Sequence, residues 1–325
     1  MIIAPTPHGI QEACRLLREG QVIGMPTETV YGLAADATQD NAVARIFEVK
    51  NRPTFNPLII HVSSTQEAET LVDMSLEAQS LMEMFWPGPL TLVLNRKKNC
   101  PISLLASGGL DTLAIRCPSH PVAGRLIQEY GKPLAAPSAN RSTTISPTSA
   151  DDVAMSLGDF VPLILDGGPC EIGLESTILD LSEDRPILLR PGSVLRESLE
   201  SIVGSIYYAK KNTPGSLIKA PGMMHRHYAP HRPLRLNALD CRPGEALLGF
   251  GPTTTVPVTL NLSETGDFRE AAANLFRMLR QLDKDLYTGI AVMPIPSTGL
   301  GVAINDRLQR AAVLEDFLNH PREDL

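Results

Sequence analysis

The sequence predicts an α/β fold in two units joined by an irregular segment, and three observations carry that reading. Short apolar runs of strand length alternate with helical periodicity in both halves of the chain. A length of 325 residues exceeds what one ordinary core serves and suits about two domains. Composition shifts near residue 205, where YYAKKNTPGSLIKAPGMMHRHYAPHRP gathers four prolines, two glycines and a cluster of basic and imidazole groups without a clear period. The expected organisation is a first α/β domain over 1–205, a linker over 206–235 and a small α/β domain over 236–325.

In the first unit, residues 21–25 read as a short apolar strand, and PTETVYGLAAD as a polar turn leading on to a helix around 41–49. Helical patterns recur near 65–71 and 76–84. FWPGPLTLVL breaks at Pro87, Gly88 and Pro89 before a strand, because proline cannot donate to a ladder. Further strands fall at 112–116, 162–165, 176–181 and 187–189, with helices between several of them. The second unit reads as strand 245–250, strand 256–260, a helix, strand 289–294 and a final helix. Phe268, Ala272, Leu275, Leu279, Leu282 and Leu286 recur every three or four residues, so they share one helical face and are expected in the core.

Composition bounds the function. Hydrophobic residues at 43% suffice for sizeable cores, and a net charge of −7 argues against broad electrostatic adhesion to nucleic acid while leaving room for a local basic groove. Cys14, Cys100, Cys117, Cys170 and Cys241 are odd in number and lack CxxC spacing, the pattern of reduced thiols and not of a disulfide frame or zinc site. MIIAPTPHGI has no basic segment leading into an apolar signal core, and no run approaches membrane-spanning length. The expectation is a cytoplasmic protein with no membrane partner.

The most informative stretch is VKNRPTFNPLIIHV. It sets Lys50 and Arg52 before an asparagine-proline turn and an apolar strand, with Asn56 and His61 as neutral polar groups. A mobile ammonium beside a planar guanidinium suits phosphate or carboxylate; the same two cations also suit a helix dipole. GGLDTLAIRCP places Thr112 and Arg116 on one face of a strand, where Arg116 can hold a carboxylate. LAAPSANRSTTISPT offers Ser138, Asn140 and Ser146, which fit a nucleotide's polar edges and fit turn capping equally well. DGGPCEIGLESTILDL has a glycine-rich turn before Ser176 and Thr177, and LLRPG puts Arg190 at a strand end. The chain has no GxxxxGKS or GxxxxGKT phosphate loop, no GxGxxG after a strand, no HExxH and no GxSxG, so phosphate binding would use a less common architecture. His225, His227 and His231 lie at spacings of two and four with no cysteine or carboxylate among them, which favours solvated or nucleotide-facing imidazoles over a metal site.

Taken in order, PTETVYGL, VKNRPTFNPLIIHV, FWPGPLTLVL, GLDTLAIRCP, APSANRSTTISPT, DGGPCEIGLESTILDL, LLRPG, PGMMHRHYAP and GLGVAINDRLQRAA resemble the threonylcarbamoyl-AMP synthase family in its long form, over nearly the whole chain. The resemblance implies a YrdC-like twisted open sheet with helices, then a linker and a smaller Rossmann-like α/β domain. It implies a reaction of L-threonine, bicarbonate and ATP, with Mg2+ accompanying ATP and no tightly bound organic cofactor. The products are threonylcarbamoyl-AMP and pyrophosphate. The adenylate serves a separate tRNA threonylcarbamoyl-transferase complex, so tRNA is reached only indirectly. By the same resemblance Thr29, His61, Arg116, Ser176 and the backbone near Ala136 line the threonine pocket. Lys50, Arg52, Asn56, Thr112, Ser138, Asn140, Ser146 and Arg190 hold ATP, with Lys50 and Arg52 catalytic. Tyr228 reaches ATP from the linker, which is expected to close as a lid over a hydrolysable intermediate.

Two departures from the family pattern stand out: Asn51, where relatives often have glycine, and Met224 with His225, where they often have lysine and tyrosine. Two other readings stay open. One is a tRNA- or double-stranded-RNA-binding protein, against which the acidic charge weighs. The other is a carbamoyl-adenylate enzyme of hydrogenase maturation, against which the lack of paired CxxC weighs.

Overall fold

A computed structural model describes residues 1–209, 218–223, 226–252 and 256–313, and both α/β units form within them. The first is built on β1 (Ile2–Ile3), β2 (Ile23–Met25), β3 (Gly32–Asp36), β4 (Ile59–His61), β5 (Leu90–Asn95), β6 (Thr112–Arg116), β7 (Leu134–Ala135), β8 (Leu163–Leu165), β9 (Thr177–Asp180), β10 (Ile187–Arg190) and β11 (Tyr207–Tyr208). These make one mixed sheet in the order β1-β8-β2-β3-β7-β4-β6-β5-β9-β10-β11. The inner strands are covered on both faces, which is why they read as continuous apolar runs and not as alternation.

Helices α1 (Pro7–Arg18), α2 (Asp40–Lys50), α3 (Thr65–Leu71), α4 (Leu76–Phe85), α5 (Pro121–Tyr130), α6 (Ala150–Leu157) and α7 (Arg196–Val203) complete the unit. Alternation along the central strands sorts their residues between two layers. Ile60, Ile115 and Leu179 join the core that also holds Ile46, Leu81 and Leu199 of α2, α4 and α7. Ile59, Ala114 and Ile178 point the other way and pack with Ala220 of the expected linker. By the same period His61, Arg116 and Ser176 belong to that second face.

The second unit has β12 (Leu234–Arg235), β13 (Glu245–Gly249), β14 (Leu260–Asn261) and β15 (Gly289–Val292), all paired in parallel in the order β12-β15-β13-β14. Helices α8 (Phe268–Leu282) and α9 (Gly301–Ala311) pack on it. The apolar stripe of α8 forms core as expected at Ala272, Leu275, Leu279 and Leu282, but Leu286 lies beyond the helix and is 77% exposed. Spacing carried the stripe too far because the helix stops at Asp283, which spacing cannot show. The strand expected over 256–260 is confined to Leu260–Asn261. The expected linker contributes β11 to the large sheet and β12 to the small one, and Val30, Ile145, Leu174 and Tyr228 share a core with α8 and α9.

The end of α2 decides where the cations point. Asn51 takes φ 50° and ψ 50°, the left-handed cap that glycine adopts freely and asparagine tolerates better than other residues. Its departure from the family's glycine is therefore conformationally silent. Met224 and His225, the other departure, lie outside the described residues. Asn51→Gly should leave unfolding free energy within about 0.5 kcal/mol of wild type, while Asn51→Val should lower it by about 1–2 kcal/mol in a urea titration. An unchanged transition in the valine variant would show that this cap does not set the end of α2.

Candidate active site

At one end of a cleft over the second sheet face stand three buried cations. Once Asn51 has ended α2, the backbone N–H of Arg52 closes on Phe47 O at 2.9 Å and its side chain turns inward. The Lys50 ammonium donates to Ser138 O and Asn140 O. Arg52 donates through Nε to Asn56 O at 3.2 Å and through Nη2 to Pro57 O at 2.9 Å. Arg190, at the end of β10, donates to Ser176 O and Ser176 Oγ at 3.0 Å each and to Pro221 O at 3.4 Å. All these acceptors are neutral, and among the described residues none of the three cations has a carboxylate in ion-pair contact. Burial, and then the Arg52 charge, push the Lys50 ammonium well below its ordinary pKa. Burial pulls Arg52 down to about 9, which still leaves it charged at neutral pH. Buried positive charge held only by dipoles is a demand for an anion.

The other end is built where β4 and β6 run in parallel with His61 in register with Arg116. Arg116 donates through Nη2 to Glu28 Oε1 at 2.6 Å, through Nη1 to Thr29 Oγ1 at 2.9 Å and through Nε to Gly88 O at 3.1 Å. Three of its five N–H groups are thus engaged and two remain for a ligand. Burial works to raise the Glu28 carboxyl, but the Arg116 guanidinium prevails and holds it below the usual range. Thr27 Oγ1 lies 2.9 Å from Thr29 Oγ1 and donates to Val30 O at 2.6 Å, fixing the loop. Burial and the neighbouring Arg116 drive His61 down to about 3, so its ring is neutral. Its Nδ1 faces Ile59 O at 3.3 Å, which assigns the proton there and leaves Nε2 as an acceptor. Ser176 Oγ, 2.7 Å from Thr91 Oγ1, joins the two ends through Arg190.

Linker residues roof the cleft closely, leaving an internal cavity of about 40 Å3. Gly222 sits at φ +86°, and a Cβ there would come within 2.9 Å of both Arg190 Cδ and Tyr228 Oη, so only glycine lets the roof approach this closely. Tyr228 is 1% exposed and stacks 5.6 Å from Phe276 of α8. His227 lies with its ring 4.0 Å from that of Tyr228. Burial, then Arg52 and Lys50, keep its imidazole neutral, and its Nδ1 has no hydrogen-bond partner among the described residues.

The structure brings Thr29, Arg52, His61, Arg116, Ala136, Ser138, Ser176, Arg190 and Tyr228 onto one lining. Lys50 and Asn140 stand just behind Ser138. The Asn140 amide closes its own turn by donating to Arg141 O at 2.9 Å and Thr144 O at 2.8 Å, so capping and site support are both served. Ser146 is turned toward Glu175, to whose Oε1 it donates at 2.5 Å. Asn56 supplies its carbonyl to Arg52. Thr112 shares the face of Arg116 but lies four residues upstream, level with Pro57 in the β4–β6 register and outside the lining. Of the histidine cluster, His231 is exposed and 2.8 Å from Asp283 Oδ2, His227 faces the cleft, and His225 lies outside the described residues. Sequence reasoning missed Thr27, Glu28, Glu175 and Arg307. Both glutamates stood in quoted segments, but their partners Arg116 and Arg307 are 88 and 132 residues away, a pairing that no local spacing signals.

Comparison with known proteins gives the family. The Sua5/YciO/YrdC family model, described as "Telomere recombination", matches residues 15–192, and the model described as "Threonylcarbamoyl-AMP synthase, C-terminal domain" matches residues 194–313. A Bacillus subtilis protein named threonylcarbamoyl-AMP synthase is 40% identical over 321 residues, covering 93% of this chain and 92% of its own. One of the same name from Pyrococcus abyssi is 41% identical over 323 residues, covering 93% and 94%. The solved structure of P. abyssi Sua5 complexed with L-threonine superposes with a TM-score of 0.86 at 39% identity, over 93% of this chain and 94% of that one. With both units matched in order and nearly end to end, the chain belongs to the threonylcarbamoyl-AMP synthase family in its two-domain form.

Proposed function

We propose that the protein makes L-threonylcarbamoyl-adenylate and pyrophosphate from L-threonine, bicarbonate and ATP. The observation that carries this is a cleft lined at one end by Arg52 and Arg190, cations without carboxylates, with Lys50 behind Ser138, and at the other by Arg116, Thr29, Ser176 and a neutral His61. The threonine amine adds to bicarbonate with loss of water, and a carbamate oxygen then bonds to the α-phosphorus while the bond to the β-phosphate oxygen breaks. Both reactants are anionic, so the site must offset repulsion; positioned cations do this by electrostatic stabilisation and need no protein nucleophile. Arg190, bonded to Ser176 on the threonine side, stands between the two substrates.

At the other end the two spare N–H groups of Arg116 suit the threonine carboxylate. His61 Nε2 accepts from the amine or hydroxyl. With a pKa near about 3 it cannot retain the amine's proton at neutral pH, so its part is orientation and not general-base work. The cleft's donors suit phosphate oxygens better than a divalent cation, and among the described residues no group of three acidic, histidine or cysteine side chains could hold a metal. Magnesium is therefore read as entering on the nucleotide's phosphates, as part of the substrate.

Burial of Lys50, Arg52 and Arg190, each under 10% exposed, argues against their use on an RNA backbone. The adenylate would pass to a separate transferase complex acting on tRNA. Reduced, unpaired cysteines, a substrate set including ATP and an absence of apolar spanning helices among the described residues fit work in the cytoplasm.

Pyrophosphate release should need threonine, bicarbonate and ATP together and proceed without tRNA; release that persists unchanged without threonine would overturn the reaction. Lys50→Ala and Arg52→Ala should each lower adenylate formation at least about tenfold, or roughly 1.4 kcal/mol of transition-state stabilisation. Arg116→Ala should mainly weaken threonine binding in calorimetry. ATP phosphates should raise the depressed pKa of Lys50, so binding takes up protons and weakens as pH rises between the free and bound values. Calorimetry over a pH series in buffers of different ionisation enthalpy should show that uptake, and Lys50→Met should lose it. Equal heats in every buffer at every pH of the series for the wild type would overturn this linkage.

A further inference from the structure

The second unit reaches the cleft's supports with two arginines. Arg307 of α9 is the largest fully buried side chain among the described residues. Its Nε donates to Glu175 Oε2 at 2.9 Å and its Nη2 to Glu175 O at 3.3 Å. Its Nη1 donates to Pro191 O at 2.9 Å and Asp306 Oδ2 at 2.8 Å. The guanidinium lies 5.3 Å from the centroid of Tyr228. One side chain therefore grips the turns at Glu175–Ser176 and Arg190–Pro191, whose Ser176 and Arg190 meet in the cleft at 3.0 Å. Arg280 of α8 acts alongside, donating to Ile145 O at 3.1 Å and Ser146 O at 3.3 Å.

Glu175 is the anomaly in this arrangement. It lines a cleft built for polyphosphate, where a free carboxylate would repel the ligand and compete for Arg190, one of whose partners is the very next residue. Ser146 binds Glu175 Oε1 but brings no charge. Arg307 brings the compensating charge, and it comes from the other unit.

We propose that Arg307 is a positioning residue for adenylation: by neutralising Glu175 across the unit boundary it leaves Arg190 to the phosphates of ATP, so that docking of the C-terminal unit completes the nucleotide site. The inference rests on reading Arg190 as an ATP ligand. A merely structural Arg307 would hold the units together without regard to the charge on Glu175, and this separates the two roles.

The test is calorimetric ATP titration of the full-length protein and three variants, with circular dichroism to establish folding. Arg307→Gln should weaken ATP binding at least about tenfold, because a buried carboxylate is left unpaired beside the phosphate site. Glu175→Gln, which still accepts from Arg307 and Ser146, should bind ATP at least as tightly as wild type. The double variant Arg307→Gln with Glu175→Gln should return to within about threefold of wild type. Wild-type affinity in Arg307→Gln, binding more than about threefold weaker in Glu175→Gln, or a folded double variant no better than Arg307→Gln would each overturn the proposal. Should Arg307→Gln not fold, the other two variants decide by the same thresholds. A wild-type protein that binds no ATP would instead sink the adenylate reading, a result distinct from these.

Discussion

Three cationic side chains kept out of water by neutral oxygens are the constraint on which this structure depends. A buried ion normally has a counter-ion, because lost hydration costs several kcal/mol and carbonyl dipoles repay only part of it. Lys50, Arg52 and Arg190 have carbonyls and one hydroxyl instead. The fold tolerates them because the acceptors are fixed elsewhere: Ser138 by its bridge to Gly32, Asn140 by its own side-chain turn, and Ser176 by Thr91 and the start of β9. The stability forgone at this site is recovered when an anion arrives.

The two carboxylates at the cleft show how the same chain prevents self-neutralisation. Left free, Glu175 could satisfy Arg190, whose partner Ser176 is the next residue, and close the site. Instead each carboxylate is committed to a different arginine, Glu28 to Arg116 within the first unit and Glu175 to Arg307 from the second. The first pairing also orients Arg116, leaving it two N–H groups for a carboxylate. The second makes the C-terminal unit a participant in the electrostatics of the cleft although it supplies no residue to the lining.

The linker is more ordered in its described part than its composition suggests. Proline, glycine and polar residues forecast an irregular path, and the path is irregular, yet Ala220 packs on the sheet face and Tyr228 is buried against α8. Irregular backbone can be buried when the cores on either side are shaped to receive it. Gly222 records that fit, since any side chain would strike Arg190 and Tyr228.

The alternation of strands and helices was legible because hydrophobic period and turn residues are local properties, and 112–116 and 65–71 were read to the residue. Candidate chemistry was legible where it clustered, as in Lys50 to His61, and where whole motifs matched a family in order. Leu286 was misplaced because periodicity does not say where a helix stops. Glu28 with Arg116 and Glu175 with Arg307 were invisible as pairs, since each joins distant segments and charge alone names no partner. By itself the sequence determined which residue types were at hand, and the tertiary structure decided which charges were left without a counter-ion. That decision is a matter of distance, because burial and pairing energies exist only once the sheet has set its strand ends side by side and α9 has carried Arg307 to Glu175.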